Sequence, residues 1–273
     1  LLEKKEKVMK VLTRDDLMML APSVYSTGPS PRMSSQYTFM PTFKIIDALQ
    51  KTGLVPVAAS QSKSRGRAEH GKHMIRFRRM TDMDKMLKGR KVGDEVPEVV
   101  LLNSHDGSAR YQLYAGLFRL VCLNGMIIQS MSFGGASLIH RKEEDAVNDV
   151  IEGSYKVIKD MPKVMSQVDK MKDKLLTNIG QMSFGRDVLR AGLAPAWATP
   201  LQVIAPVRIE DGEEGLRRSV WNVFNSAQEH IIKGGLVNTV GERASRTREI
   251  KAPADNLRTN TALWGIAQDY AGA

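Results

Sequence analysis

Cysteine is almost absent from this sequence: Cys122 stands alone among 273 residues. One thiol excludes an internal disulfide framework and points to a reducing compartment. Apolar residues make up 42% of the chain, yet no run reaches the 18 or more needed to span a bilayer, so a membrane protein is not expected. The amino end, LLEKKEKVMKV, alternates charge with apolar residues too closely to be a signal-peptide core, and a cytoplasmic protein is the expectation. Aromatic residues are few, at 6%. Five histidines and one cysteine show no HExxH or CxxC spacing, and the acids form no cluster suited to a pair of metal ions. Metal catalysis and cofactor chemistry therefore have no visible residue set.

Positive charge is plentiful, and it is concentrated. Between Lys63 and Lys91 lie eleven basic residues: Lys63, Arg65, Arg67, Lys72, Arg76, Arg78, Arg79, Lys85, Lys88, Arg90 and Lys91. Only Glu69, Asp82 and Asp84 oppose them, so this segment carries a net +8 of the chain's +10. An ordinary soluble surface intersperses both signs, whereas a polyanion site clusters one.

The hydrophobic pattern predicts an α+β protein: an antiparallel strand meander backed by a long helix, with a helical C-terminal part. Three segments are expected, an N-terminal helix-and-arm region over 1–53, a core over 54–180 and a helical part over 181–273. Thr13 with Asp16 three places on reads as a capping box. Residues 21–41 read as a Pro/Ser-rich arm whose Tyr25, Tyr37 and Phe39 would cover a surface, its own or a neighbour's. Thr42 is placed as the cap of a helix that stops at Gly53. Strands are predicted at 54–59, 73–79, 98–103, 110–123, 126–131 and 133–140. In the second, Ile75 and Phe77 would face the core while Arg76 and Arg78 face water. In the fourth, strict alternation would bury Arg119 beside Leu113 and Leu117, so a bulge is expected near Ala115-Gly116. Asn124-Gly125 reads as a type I′ hairpin turn. From Glu143 the period becomes helical, with Pro162 kinking or splitting the helix. Further helices are expected within Gly212–Gly234 and after Asp255.

Several constellations resemble catalytic motifs without meeting their requirements. Gly66–His73 (GRAEHGKH) approaches a phosphate-binding loop but lacks the Ser or Thr after Lys72 and leads into a strand rather than a helix. Ser104, His105 and Asp106 are sequence neighbours whose side chains diverge, which suits a turn better than a relay. Cys122, between Val121 and Leu123, reads as a buried thiol rather than the partner of His105 or His140. No catalytic residue, metal ligand or cofactor is assigned. The basic strand face carries the remaining reading: Lys63, Arg65, Arg67, Lys72, Arg76, Arg78 and Arg79 would neutralise phosphates, and Arg110, Tyr114 and Arg119 would line the adjoining sheet, the ring stacking on a base.

The stretches LLNSHDGSARYQLYAGLFRLVCLNGMII, FGGASLIHR and SVWNVFNSAQEHIIKGG resemble a plasmid- and phage-borne family catalogued as domain of unknown function 932, some of whose members are called phage/plasmid-like proteins. Asn103, His105, Asp106, Gly107, Asn124, Gly125 and His140 match its recurrent positions, and the family supplies no catalytic set to carry over. A looser likeness, in element order and charge, links the chain to the single-strand annealing superfamily, whose rings or filaments lay single-stranded DNA in a positive groove. The combined expectation is a DNA-binding homo-oligomer of plasmid or phage origin that coats or anneals single strands. An anti-defence protein that binds a host protein, and a nuclease or nucleotide-using enzyme, are the alternatives. On the strand-face assignment, charge reversal at Arg76 and Arg78 would abolish DNA binding and leave stability unchanged.

Overall fold

The structure, a computed structural model, describes residues 10–35, 37, 39–62, 68–82, 95–109, 111–119, 124–128, 143–213, 216–238 and 245–272. It contains two compact units, residues 1–161 with 251–254 and residues 162–250 with 255–273.

The first unit is built on a five-stranded antiparallel meander: β1 (Leu54–Gln61), β2 (His73–Arg79), β3 (Glu95–Asn103), β4 (Gln112–Arg119) and β5 (Asn124–Ile128), in that spatial order. The predicted α+β class is the observed one. Ahead of the sheet come α1 (Arg14–Leu20), a 3-10 turn (Pro22–Tyr25) and α2 (Thr42–Lys51). The capping box opens α1: Asp16 N donates to Thr13 Oγ1 and Thr13 N donates to Asp16 Oδ2, at 3.2 and 2.9 Å. Gly53, at φ +85°, ends the turn after α2, a backbone conformation that side-chain-bearing residues rarely adopt.

Register assigns the faces. His73 pairs with Asn103 and Leu101 with Leu113, so Ile75, Phe77, Val99, Leu101, Leu113, Ala115 and Leu117 share one face. Met74, Arg76, Arg78, Val96, Glu98, Val100, Leu102 and Phe118 share the other. Both faces are largely buried, which explains why β3 reads as a near-continuous apolar run rather than an alternation. Each fully buried side chain of the Ile75 or Phe77 kind contributes about 1.5–3 kcal/mol.

Two local expectations need correcting. The β3–β4 ladder runs without a break from Glu95↔Arg119 to Leu102↔Gln112, so Ala115-Gly116 holds no bulge; the irregularity lies in β1, between Pro56 and Ala58. Asn124 and Gly125 are strand residues paired with Arg119 and Phe118, so they do not form the hairpin turn. The segment 120–123, with Cys122, and the segment 129–142, with His140 and the strand expected at 133–140, lie outside the described residues.

The arm of residues 21–41 folds back on its own unit. Tyr25 lies nearly parallel to Phe43 at 6.0 Å, Phe39 packs on His105 at 4.9 Å, and Tyr37 OH donates to the Ser104 carbonyl. Edge strand β1 is blunted by Pro56, by its bulge, and by Leu12, whose N–H donates to the Pro56 carbonyl at 2.8 Å. The rings of the arm therefore pack, half-buried, on their own unit.

A 31-residue helix, α3 (Glu143–Asp173), follows, with Pro162 inside it; the division between the units falls at that proline. The second unit continues with the ribbon β6 (Leu175–Leu176) and β7 (Arg218–Ser219), the helices α4 (Asn178–Arg190), α5 (Pro200–Ile204), α6 (Val220–Ile232) and α7 (Pro253–Ala271), and the short pair β8 (Val237–Asn238) and β9 (Ser245–Arg246). Trp221, Phe224 and Trp264 form its aromatic centre, with ring centroids 5.5–6.4 Å apart. The face expected on α6 is buried at Val220, Val223, Phe224, Ala227 and Ile231; Leu216 precedes the helix and is exposed. No described helix is long and apolar enough to cross a membrane.

Candidate nucleic-acid interface

Alternation along β2 places Arg76 and Arg78 opposite Ile75 and Phe77, as the pattern predicts, but their face is not open to water. Arg78 is 2% exposed. Its Nε donates to Glu98 Oε1 at 2.7 Å, and its guanidinium lies 4.0 Å from the centre of the Phe118 ring. Arg76 Nε donates to Glu98 Oε2 at 2.5 Å, and its terminal nitrogen donates to the Met126 carbonyl of β5 at 2.8 Å. Gly116, cross-strand from Glu98, makes this reach possible, because a Cβ there would stand 3.2 Å from the Arg76 guanidinium and 2.9 Å from Val100 Cγ2.

Glu98 is therefore the carboxylate between two guanidiniums. Burial alone would raise its pKa, but the flanking arginines outweigh burial and hold the carboxyl below its ordinary range. A buried pair of this kind organises the strands that carry it, and removing one partner typically costs about 3–5 kcal/mol. The expectation that charge reversal at Arg76 and Arg78 leaves folding intact is overturned by this geometry: two added carboxylates beside buried Glu98 would break the sheet. Sequence reasoning missed Glu98 because only the β2–β3 register brings it beside the arginines. Its one signal was an acid within the apolar run Val96–Leu102.

The other assigned residues divide. Arg119 is 3% exposed and lies on the opposite face, cross-strand from buried Glu95, so it does not line a surface with Arg76. Tyr114 shares a cross-strand row with Arg76 and Val100; it is half-buried, and its hydroxyl donates to Gln112 Oε1 at 3.0 Å. Arg79 is exposed and pairs with Asp82 at 2.8 Å. Lys72 is half-buried, with no side-chain hydrogen bond or ion pair among the described residues, and the Ser62 N–H donates to its carbonyl. Lys63, Arg65, Arg67 and Arg110 lie outside the described residues. Arg76 and Arg78 are thus engaged by Glu98. In the sequence, Lys63, Arg65 and Arg67 stand between Ser62 and Ala68, before β2, and Lys85, Lys88, Arg90 and Lys91 stand between Asp82 and Glu95, after it.

A buried polar cluster occupies the β1–β2 end of the opposite face. Thr42, expected as a helix cap, sits one place inside α2 and serves a different purpose. Its hydroxyl meets His73 Nε2 at 2.9 Å, Asn103 Nδ2 at 3.1 Å, Tyr111 OH at 3.1 Å and His105 Nε2 at 3.3 Å. His73 Nδ1 faces the Gly71 carbonyl at 3.0 Å and Ser23 Oγ at 2.7 Å, while Ser23 donates to Gln61 Oε1 at 2.7 Å. Because a carbonyl only accepts, Nδ1 of His73 carries the proton and Nε2 accepts from Thr42. Burial lowers the pKa of His73 to about 4. Burial, followed by the neighbouring imidazoles of His73 and His70, lowers that of His105 to about 3. Burial raises that of Tyr111. The two imidazoles and the phenol are neutral at physiological pH, and the cluster, buried at Ser23, Thr42, His73, Asn103 and His105, ties the arm, α2 and three strands together. Asp106 and Gly107 do form the expected turn: Ser108 N donates to Asp106 Oδ1, and Gly107 has φ +76°. Among the described residues no group of histidine, cysteine and acidic side chains could hold a metal ion.

Comparison with known proteins adds family and no activity. A family model described as Domain of unknown function (DUF932) matches residues 31–264. UPF0380 protein YafZ of Escherichia coli (strain K12) is 38% identical over 263 residues, covering 94% of this chain and 90% of that protein. UPF0380 protein YfjQ of the same organism is 36% identical over the same shares. No solved structure matches the chain.

Proposed function

We propose that this chain, which belongs to the family described as domain of unknown function 932, binds single-stranded DNA through the cations of its strand connections rather than through its sheet face. The supporting observation is the distribution of charge. The segment Lys63–Lys91 carries a net +8, and with Arg76 and Arg78 bound to Glu98 most of its other cations belong, in sequence, to the connections before and after β2. Seven strand residues separate the two ends of β2 by about 20 Å at about 3.3 Å per residue. A flexible single strand can bridge that gap, its backbone held by cations whose counterions are released on binding. On this reading the setting is the cytoplasm of a cell carrying plasmid or phage DNA, and strand coating or annealing is the activity. The working form is a ring or filament, because the cations of one protomer reach only a few nucleotides.

The test is a salt titration. Log affinity for an oligothymidylate should fall against log salt with a slope of about −0.7 per phosphate neutralised. The variant Lys63→Glu with Arg65→Glu and Arg67→Glu should bind far more weakly, with a shallower slope and an unchanged thermal midpoint. A flat salt response of the unmodified protein, or full affinity in the variant, would overturn the reading.

A further inference from the structure

The first unit also holds an open cleft of about 350 Å³ between α1, the 3-10 turn and α2. Its lining follows from the helical period of α2. Thr42, Ile45 and Leu49 are buried, while Phe43, Ile46, Asp47 and Gln50, spaced i, i+3, i+4 and i+7, line the cleft. Across from them Tyr25 lies nearly parallel to Phe43, at an interplanar angle of 13°, with the Arg14 guanidinium 5.2 Å from the Tyr25 ring centre. Leu17 and Ile46 supply a buried apolar lining. Asp47 and Gln50 make no side-chain hydrogen bond or ion pair among the described residues, although one helical turn sets them side by side at the rim. Two half-buried rings, an arginine, and an adjacent carboxylate and amide thus converge on a space large enough for one nucleobase.

We propose that this cleft is a base-binding pocket and that its preferred base is guanine. Guanine presents two adjacent donors on its Watson–Crick edge, the ring N1–H and the exocyclic amine, beside the acceptor O6. The Asp47 carboxylate only accepts and takes both donors, and the Gln50 amide donates to O6. Adenine and cytosine set a ring acceptor beside their amine, which would face the carboxylate with a lone pair. Thymine offers one donor between two acceptors. The stacked rings of Tyr25 and Phe43 supply an aromatic wall, and Arg14, over the Tyr25 ring, stands where it can meet the base or the attached phosphate.

The pocket is coupled to the first basic connection. Ser23 N and Oγ both bond to Gln61 Oε1, two residues before Lys63, and the Gln61 amide donates to the Ala68 carbonyl just past Arg67. Ser26 Oγ bonds to His70 Nδ1 at 3.2 Å. The residues on either side of Tyr25 are therefore tied to the residues on either side of 63–67. A strand held by Lys63, Arg65 and Arg67 can deliver a base to the cleft. This deepens the strand-binding reading and rests on it for the source of the base; a free guanine nucleotide has the same chemistry.

Two titrations of the full chain separate these sources and the two readings. Fluorescence anisotropy compares a twelve-residue oligothymidylate with the same strand carrying one central guanine, and calorimetry compares guanosine monophosphate with thymidine monophosphate. The single guanine should tighten strand binding about tenfold, as one bidentate base contact does. Guanosine monophosphate should bind where thymidine monophosphate does not. Asp47→Asn, at an exposed position, should keep its thermal midpoint and its affinity for oligothymidylate while losing both guanine preferences. Strand binding with no guanine preference, or a preference unmoved by Asp47→Asn, overturns the pocket and leaves the strand reading standing. Guanosine monophosphate binding that Asp47→Asn removes, with no strand binding, supports the pocket and overturns the strand reading. Failure of both titrations overturns both.

Discussion

Each compact unit buries an arginine to 2% exposure, and the two arginines are satisfied in different ways. In the sheet unit Arg78 is held by a carboxylate, Glu98, which it shares with Arg76 on the same strand. In the helical unit Arg218 donates to the Asp211 and Ile204 carbonyls and to Ser226 Oγ, each at 2.6 Å. The first arrangement joins side chains on neighbouring strands and holds them in register. The second gathers the carbonyl ends of α5 and of the 3-10 turn Ile209–Asp211, backbone acceptors that a helix end leaves without an internal partner. Charge paired with charge can be replaced as a set. Charge that satisfies backbone carbonyls cannot, because the carbonyls remain when the side chain is gone.

The largest expected effect follows from breaking the first arrangement unevenly. Glu98→Ala leaves two guanidiniums in a buried face and should lower unfolding free energy by about 3–5 kcal/mol in urea titration. Replacing the whole set, Arg76→Met with Glu98→Leu and Arg78→Met, should recover part of that loss, since the Met126 carbonyl then lacks its Arg76 donor. If the triple variant is as unstable as the single one, the set is not a self-contained ion group. A smaller loss is expected in the second unit: Arg218→Met should cost about 2–3 kcal/mol, the penalty of buried acceptors left unmade, and no second apolar substitution should rescue it. Rescue there would erase the distinction between the two arginines.

Acid acts more gently, and within the sheet unit. His73 and His105 titrate at about 4 and about 3 in the folded chain and near 6.5 when unfolded, so below pH 6.5 the unfolded state binds more protons. Stability should be full above pH 6.5 and decline as pH falls through that value towards 4. Glu98 is also held below its ordinary range, so its contribution persists above 4.5 and fades only at lower pH. His73→Gln should flatten the upper part of the profile and leave the lower part in place, read from urea midpoints between pH 3 and 7. An unchanged slope between 6.5 and 4 would mean the buried imidazoles are not the proton acceptors.

What the sequence determined by itself was local. The limits of β2, the capping box at Thr13 and Asp16, the stop at Gly53, the turn at Asp106-Gly107 and the long helix from Glu143 each depend on neighbours a few residues away, through dihedral preference and hydrophobic period. The concentration of cations in 63–91 was equally plain. What only the tertiary structure decided was which side chains are spent on one another. Arg78 and Glu98 are twenty residues apart, Thr42 and His105 sixty-three, and Ser23 and Gln61 thirty-eight. No periodicity joins such pairs, because register and the docking of the arm are set by packing across the whole sheet. Alternation told correctly which way Arg76 and Arg78 point, but whether that direction meets water or a carboxylate depends on the strand alongside. The same holds for the cleft: Phe43, Asp47 and Gln50 fall on one side of a helix by period alone, and they become a site only where the folded-back arm sets Tyr25 and Arg14 against them.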